Sequence, residues 1–139
     1  MMREVIHCRG HPNVKATHRS TLEFTKEDYL TPRGDCIICI KADRGINDLS
    51  EEFKRALRGG RKLRIRIKVG ELEDEVLAEG SPELILDHPY SVVVRKSTYI
   101  DARTLAINAN KAARDIDRRI VEMLKNPKTE AEIELVIEE

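Results

Sequence analysis

The stretch KLRIRIKVGELEDEVLAE, residues 62–79, limits what this chain can become more than any other. Leu63, Ile65, Ile67 and Val69 alternate with Lys62, Arg64, Arg66 and Lys68, the period of a half-buried strand. Gly70-Glu71 suits a two-residue hairpin turn with glycine at its first central position. That turn sets Val69 opposite Leu72, Lys68 opposite Glu73, Arg66 opposite Glu75 and Lys62 opposite Glu79. On the apolar side Ile65 meets Val76 and Leu63 meets Ala78. Hydrophobic and charge pairing agree on one register, and a slip by one residue would turn every side chain to the wrong face. Asp74 is the misfit, falling on the apolar side near the turn. A hairpin with one greasy face needs a second layer, so the chain is read as a layered β protein.

Further strands are expected at 5–9, 14–24, 36–42, 84–86, 91–96 and 131–137, separated by Gly, Pro and Asp turns. Asp48, with Glu51 three residues on, opens a short helix whose stripe is Leu49, Phe53, Ala56 and Leu57; Gly59-Gly60 ends it. Asp101 is read as the cap of a long helix, about 24 residues and on the order of 36 Å, stopping before Pro127. Its stripe would be Leu105, Ala109, Ala112, Ile116, Ile120 and Leu124, with Asp115/Arg119 and Arg118/Glu122 paired on the solvent side. No internal repeat is legible. The expected fold is mainly β with two helices: a single-domain antiparallel β sandwich over residues 1–139, jelly-roll-like, with the long C-terminal amphipathic helix packed on the sheet.

Charge excludes some functions. Lys+Arg and Asp+Glu stand at 25 each, which disfavours nucleic acid as a partner. The basic stripe from Lys62 to Lys68 is matched in register by Glu73, Glu75 and Glu79, and no aromatic residues interleave with it. Charged residues reach 36% with no Trp, which fits a hot environment. No run of about eighteen apolar residues exists to cross a membrane, and MMREVIHCRGH has no signal core, so a cytoplasmic protein is expected. Cys36 and Cys39 form C-x-x-C, but the isoleucines around them argue for a strand on which residues three apart face opposite ways. With Cys8 they are read as buried structural cysteines and not as a disulfide framework.

Two segments concentrate polar chemistry. His7, His11 and His18 lead into Thr17, Ser20, Thr21 and Thr25, with Arg19 and Glu23 between the hydroxyls. His18 and Glu23 are the candidate base or ligands of a hydrolase or metal-assisted lyase. They are five apart, however, and would need a bulge to meet. The histidines are therefore read as surface or hydrogen-bonded groups, and no metal site is assigned. The second segment, KSTYIDART at 96–104, runs into the expected long helix. Free N–H groups at a helix start bind anions. Lys96, Ser97, Thr98, Arg103, Thr104 and Lys111, with His18, Arg19 and Glu23 on an opposite wall if the two strands are adjacent, make a candidate site for a small anionic, phosphate-bearing ligand. The sequence assigns no cofactor. A third reading is a homo-oligomeric assembly subunit.

The words ATHRSTLEFT, GDCI and RTLAINANKAA resemble an archaeal family catalogued as domain of unknown function 371, and the likeness runs over nearly the whole chain. The resemblance implies an archaeal cytosolic protein with a jelly-roll-like β sandwich and no established activity. It supplies no catalytic residues.

Overall fold

The computed structural model describes residues 1–138. Eight strands run β1 (Met2–Arg9), β2 (Thr21–Thr25), β3 (Ile37–Cys39), β4 (Lys62–Val69), β5 (Leu72–Glu79), β6 (Ser91–Arg95), β7 (Thr104–Ala106) and β8 (Glu130–Ile137). Two short helices, α1 (Glu51–Arg58) and α2 (Arg118–Met123), precede β4 and β8. The strands form two four-stranded sheets, ordered β1-β8-β4-β5 and β3-β2-β6-β7. Their inward residues, among them Ile6, Ile65, Ile133, Leu22, Phe24 and Val94, share one core. The bridges Arg9↔Ile40 and Glu79↔Ile107 tie the sheets edge to edge without closing them.

The hairpin forms in the register the sequence dictates, with Lys62↔Glu79, Arg66↔Glu75 and Ile65↔Val76 all paired. Asp74 is accounted for too. Its carboxylate accepts from Lys111 Nζ at 2.5 Å and from Asp117 N at 2.8 Å, so the misfit is a tether.

The long C-terminal helix does not exist, and the jelly-roll expectation falls with it. Thr104, Leu105, Ala106 and Ile107 are buried in succession, which suits a strand in a covered sheet better than one face of a helix. Asn108 then takes φ 53°, a left-handed conformation that stops regular structure. Asp101, the expected cap, accepts from Arg103 N at 2.9 Å and closes a turn. The true cap is Asp117, whose carboxylate accepts from Arg119 N. The apolar stripe was right about burial and wrong about its cause: Leu105, Ala112, Ile116, Ile120 and Leu124 are all buried, but from a strand, a 3-10 turn and a six-residue helix. The i,i+4 pairs fail accordingly. Arg119 pairs with Asp117, and Arg118 donates to the carbonyls of Ala16, Ala113 and Ile116. Nor is the fold purely antiparallel, since β2–β3 and β6–β7 run parallel. Residues 84–86 make no strand, and α1 is capped by Ser50, whose hydroxyl accepts from Phe53 N, rather than by Asp48.

A repeat is present after all. Exchanging β1 with β5, β2 with β6, β3 with β7 and β4 with β8 maps both strand orders onto themselves reversed, so the halves are related by a pseudo-twofold. Ala16 and Leu86 take φ 49° and 58°; Lys41 and Asn108 take 54° and 53°. The halves interlock, because β1 pairs with β8 and β5 with β4. A Cβ on Gly10 would lie 2.3 Å from the Leu124 carbonyl oxygen, and one on Gly80 2.0 Å from that of Leu57. Each half thus presses a glycine onto the helix end of the other. Substituting Gly80→Ala forces these backbones apart, and should cost about 3 kcal/mol or more in denaturant unfolding.

The cysteines also depart from expectation. Cys8 on β1 and Cys39 on β3 are joined by a disulfide across 31 residues, leaving Cys36 free. Both lie in the core. Burial was predicted, bonding was not, because sequence does not show that the ends of β1 and β3 meet. At the mates of these positions stand Ala78 and Ala106, so alanine is sterically acceptable there. Denatured, unreduced protein should therefore titrate one thiol, and reduced protein three. The Cys8→Ala/Cys39→Ala double variant should fold but lose about 3–4 kcal/mol, the loop-entropy value for a closure of this length.

Candidate functional site

Much of the polar chemistry comes in twofold-related pairs and is architectural. His18 Nδ1 accepts from Ser20 N and Thr21 N, and His88 Nδ1 accepts from Tyr90 N and Ser91 N, each holding the turn into β2 or β6. Lys26 lies 3.4 Å from Asp48 and Lys96 lies 3.7 Å from Asp115, each carboxylate also accepting a backbone N–H at a 3-10 turn. Arg44 pairs with Glu4, which accepts from Ser50 N; Lys111 pairs with Asp74, which accepts from Asp117 N. Groups occurring once in each half at equivalent places hold the fold.

One constellation breaks the symmetry. Glu23 lies at the middle of β2, cross-strand from Val93 at the middle of β6, so this pair sits on the pseudo-axis. It belongs to the outward face of the second sheet, yet it is only 5% exposed, beneath the loops 26–36 and 96–103. Ser91 Oγ donates to Glu23 Oε2 at 3.2 Å, Cys36 Sγ donates to Oε1 at 3.5 Å, and Arg103 Nη1 stands 3.9 Å from Oε1. Cys36 and Arg103 are themselves mates: Glu23 N donates to the Cys36 carbonyl and Val93 N to the Arg103 carbonyl. Where one half puts a thiol, the other puts a guanidinium.

The electrostatics follow from that burial. Loss of water raises the Glu23 pKa above its ordinary value, against the pull of Arg103 and the donated hydrogen bonds. Burial, with the Glu23 charge beside it, pushes the Cys36 thiol up to about 12. Cys36 is thus a protonated donor at neutral pH and no nucleophile. The Ser91 hydroxyl donates to a carboxylate, and the neighbouring His88 ring accepts from Ser91 N rather than from that hydroxyl. Arg103 also lies 3.8 Å from Asp101, which Arg95 contacts at 3.1 Å; Tyr99 stacks on Arg95 at 4.9 Å. Burial acts to raise the Asp101 pKa, but its hydrogen bonds and the two guanidiniums outweigh this and hold it low.

The structure brings the Glu23 carboxylate and the Arg103 guanidinium to within 3.9 Å of each other. It does not join His18 to Glu23, since the imidazole turns to backbone and the carboxylate to Ser91 and Cys36. The β2 and β6 strands are neighbours, with Thr21 opposite Arg95, and Lys96 N donates to the Ser20 carbonyl. Arg19 and Thr98 are exposed, and the Arg19 side chain makes no hydrogen bond or ion pair among the described residues. Ser97 Oγ accepts from Tyr99 N, Thr104 Oγ1 bonds to Asp101, and Lys111 is held by Asp74. No group of three or more metal-ligating side chains converges among the described residues. Sequence reasoning missed Cys36 and Ser91 as partners of Glu23. The available signal was Glu23 itself, a charge between Leu22 and Phe24 at the centre of a buried strand.

Fold and cluster together define a twofold-built, two-sheet β domain with one asymmetric carboxylate–guanidinium centre. Residues 6–138 match the family described as a domain of unknown function, DUF371, and the chain belongs to it. It is 54% identical over 127 residues to the uncharacterised protein MJ0206 of the archaeon Methanocaldococcus jannaschii, covering 91% of this chain and 94% of that one. No described helix is long and apolar enough to cross a membrane.

Because the folded pKa of Glu23 stands above its unfolded value, its contribution to stability is fully present below about 4.5 and is lost as pH rises through the folded value. Glu23→Gln removes that loss. The variant should gain in melting temperature relative to the parent between pH 4 and 7, and parallel melting curves across that range would refute the assignment.

Proposed function

We propose that the chain binds a small anionic, phosphate-bearing ligand, with Arg103 as the direct partner of the anion. The observation that carries this reading is the state of the guanidinium. Arg103 is 45% exposed at its side chain and lies between two carboxylates, at 3.8 and 3.9 Å, both beyond hydrogen-bond length. Its fork is oriented by charge while its N–H donors remain available for a bidentate acceptor. Arg19, Ser97 and Thr98, all exposed, are the further contacts in this proposal, whereas Lys96 and Lys111 are held by Asp115 and Asp74 and Thr104 is buried against Asp101. The basis is no longer a helix start. It is an arginine held in place by a buried acid. We place the protein in the cytoplasm of a heat-grown cell, where a core disulfide is tolerated.

A second reading is favoured by the raised pKa of Glu23. A carboxyl that retains its proton closer to neutrality can exchange it with a bound substrate, as a general acid or base. His18 is then a support of the β2 turn rather than the base.

A thermal-shift panel with phosphate, sulfate, nucleotides and divalent metals separates these readings. A true ligand at a hundred times its Kd stabilises by about 2.7 kcal/mol. The binding reading expects stabilisation by phosphate-bearing compounds, lost in Arg103→Ala. The acid–base reading further expects slow conversion of the bound compound, followed by phosphorus NMR and lost in Glu23→Gln. A flat panel with a dimer or larger species on a sizing column would favour the assembly subunit.

A further inference from the structure

The outward face of the first sheet breaks the symmetry a second time, away from the Glu23 cluster. Over most of that face, charges alternate and pair. Arg66 meets Glu75 and Glu134, and Lys68 meets Glu73 and Glu132. His7 lies between Asp43 at 3.3 Å and Glu132 at 3.5 Å, and Arg9 pairs with Glu130 at 2.8 Å. One end of the face is therefore covered by a chain of polar contacts from Lys68 through Glu132 and His7 to Asp43, with the Arg9–Glu130 pair beside it.

The twofold-related end carries different residues. Leu77 occupies the place of His7, since Leu77 N donates to Asn110 Oδ1 as His7 N donates to Asp43 Oδ1. Arg64 faces Leu77 as Glu132 faces His7, and Val136 neighbours Arg64 as Lys68 neighbours Glu132. Replacing His7 and Lys68 by Leu77 and Val136 removes two links of the chain. A groove of about 430 Å³ opens there, floored by Leu77 and Val136 and edged by Lys62, Arg64, Asn108 and Asn110. That volume lies in the range of small-molecule sites.

We propose that this groove binds a small carboxylate with an apolar body, such as a branched or aromatic acid. The apolar body covers Leu77, 44% exposed, and the stems of Lys62 and Arg64. The carboxylate meets Lys62, whose side chain makes no ion pair or hydrogen bond among the described residues. Arg64 spends one contact, at 3.3 Å, on Glu75. Of the two acids on the rim, Glu79 is engaged by Asn108 Nδ2 at 3.2 Å, and Glu138 lies beside Arg61, which donates to its carbonyl at 2.8 Å. An anion is thus the better match than an amine.

The test is an NMR titration of the full chain with 4-methylpentanoate and with its neutral amide. Saturable shifts at Leu77, Asn110 and Val136, weaker for the amide by about tenfold, are expected. Lys62→Ala should weaken binding by a similar factor. Leu77→Glu, a change at an exposed position, should abolish it without altering the melting temperature. Arg103→Ala should leave it unchanged, which keeps this site distinct from the one proposed above. Absence of saturable shifts, equal affinity for the amide, or undiminished binding by Leu77→Glu would each overturn the proposal.

Discussion

Reciprocal contact between the two halves is the constraint on which the architecture depends. Gly10 rests on the carbonyl of Leu124 and Gly80 on that of Leu57, closer than any side chain allows. His11 N donates to the Leu124 carbonyl, while Gly10 N and Gly80 N reach Thr129 and Arg61. β1 can complete its ladder only on β8, at the far end of the chain, and β5 only on β4. Neither half can bury its own first strand. Folding must therefore close long loops before the core rewards it.

Symmetry of this kind separates structural from functional polarity without recourse to other sequences. A residue whose equivalent in the other half does the same work is explained by the fold. His18 and His88, Lys26 and Lys96, and Arg44 and Lys111 satisfy that test. Glu23 fails it, since its mate is Val93, and so does the Cys36–Arg103 pair around it. The first sheet fails it at Leu77 and Val136. A buried carboxylate costs stability unless it is compensated. Ser91, Cys36 and Arg103 supply only part of that compensation, so burial still sets the direction of the Glu23 shift.

What the sequence disclosed was local. The hairpin was legible because turn chemistry, hydrophobic alternation and cross-strand charge all pointed to one register. The long helix was misread because residues 105, 109, 112, 116, 120 and 124 fall at helical spacing by coincidence, buried from a strand, a loop, a 3-10 turn and a short helix in succession. The left-handed Asn108 and the capping Asp117 were present in the sequence, but an unbroken apolar period outweighed them. The repeat escaped notice because the loop after β2, residues 26–36, is longer than its counterpart at 96–103 and shifts the second part of each half out of phase. The site was half legible. Glu23 and Arg103 were both singled out, whereas their meeting depends on β2 and β6 pairing, which is a tertiary fact.

The two asymmetries also lie on different sheets, and this has an energetic consequence. The Glu23 cluster is built on β2, β6 and the loops over them, and the groove on β4, β5 and β8. The core between them is packed from both halves alike. Although Asn108 bridges the faces, donating from N to the Ser97 carbonyl and from Nδ2 to Glu79, the side chains that meet Glu23 (Ser91, Cys36 and Arg103) are not those that line the groove. Substitutions at separate sites with no shared partners add in free energy. Divergence of one face therefore leaves the other free to keep its chemistry. A duplicated β scaffold can acquire two unlike binding surfaces in this way, while the glycine contacts and ion-pair tethers that hold it together stay symmetric.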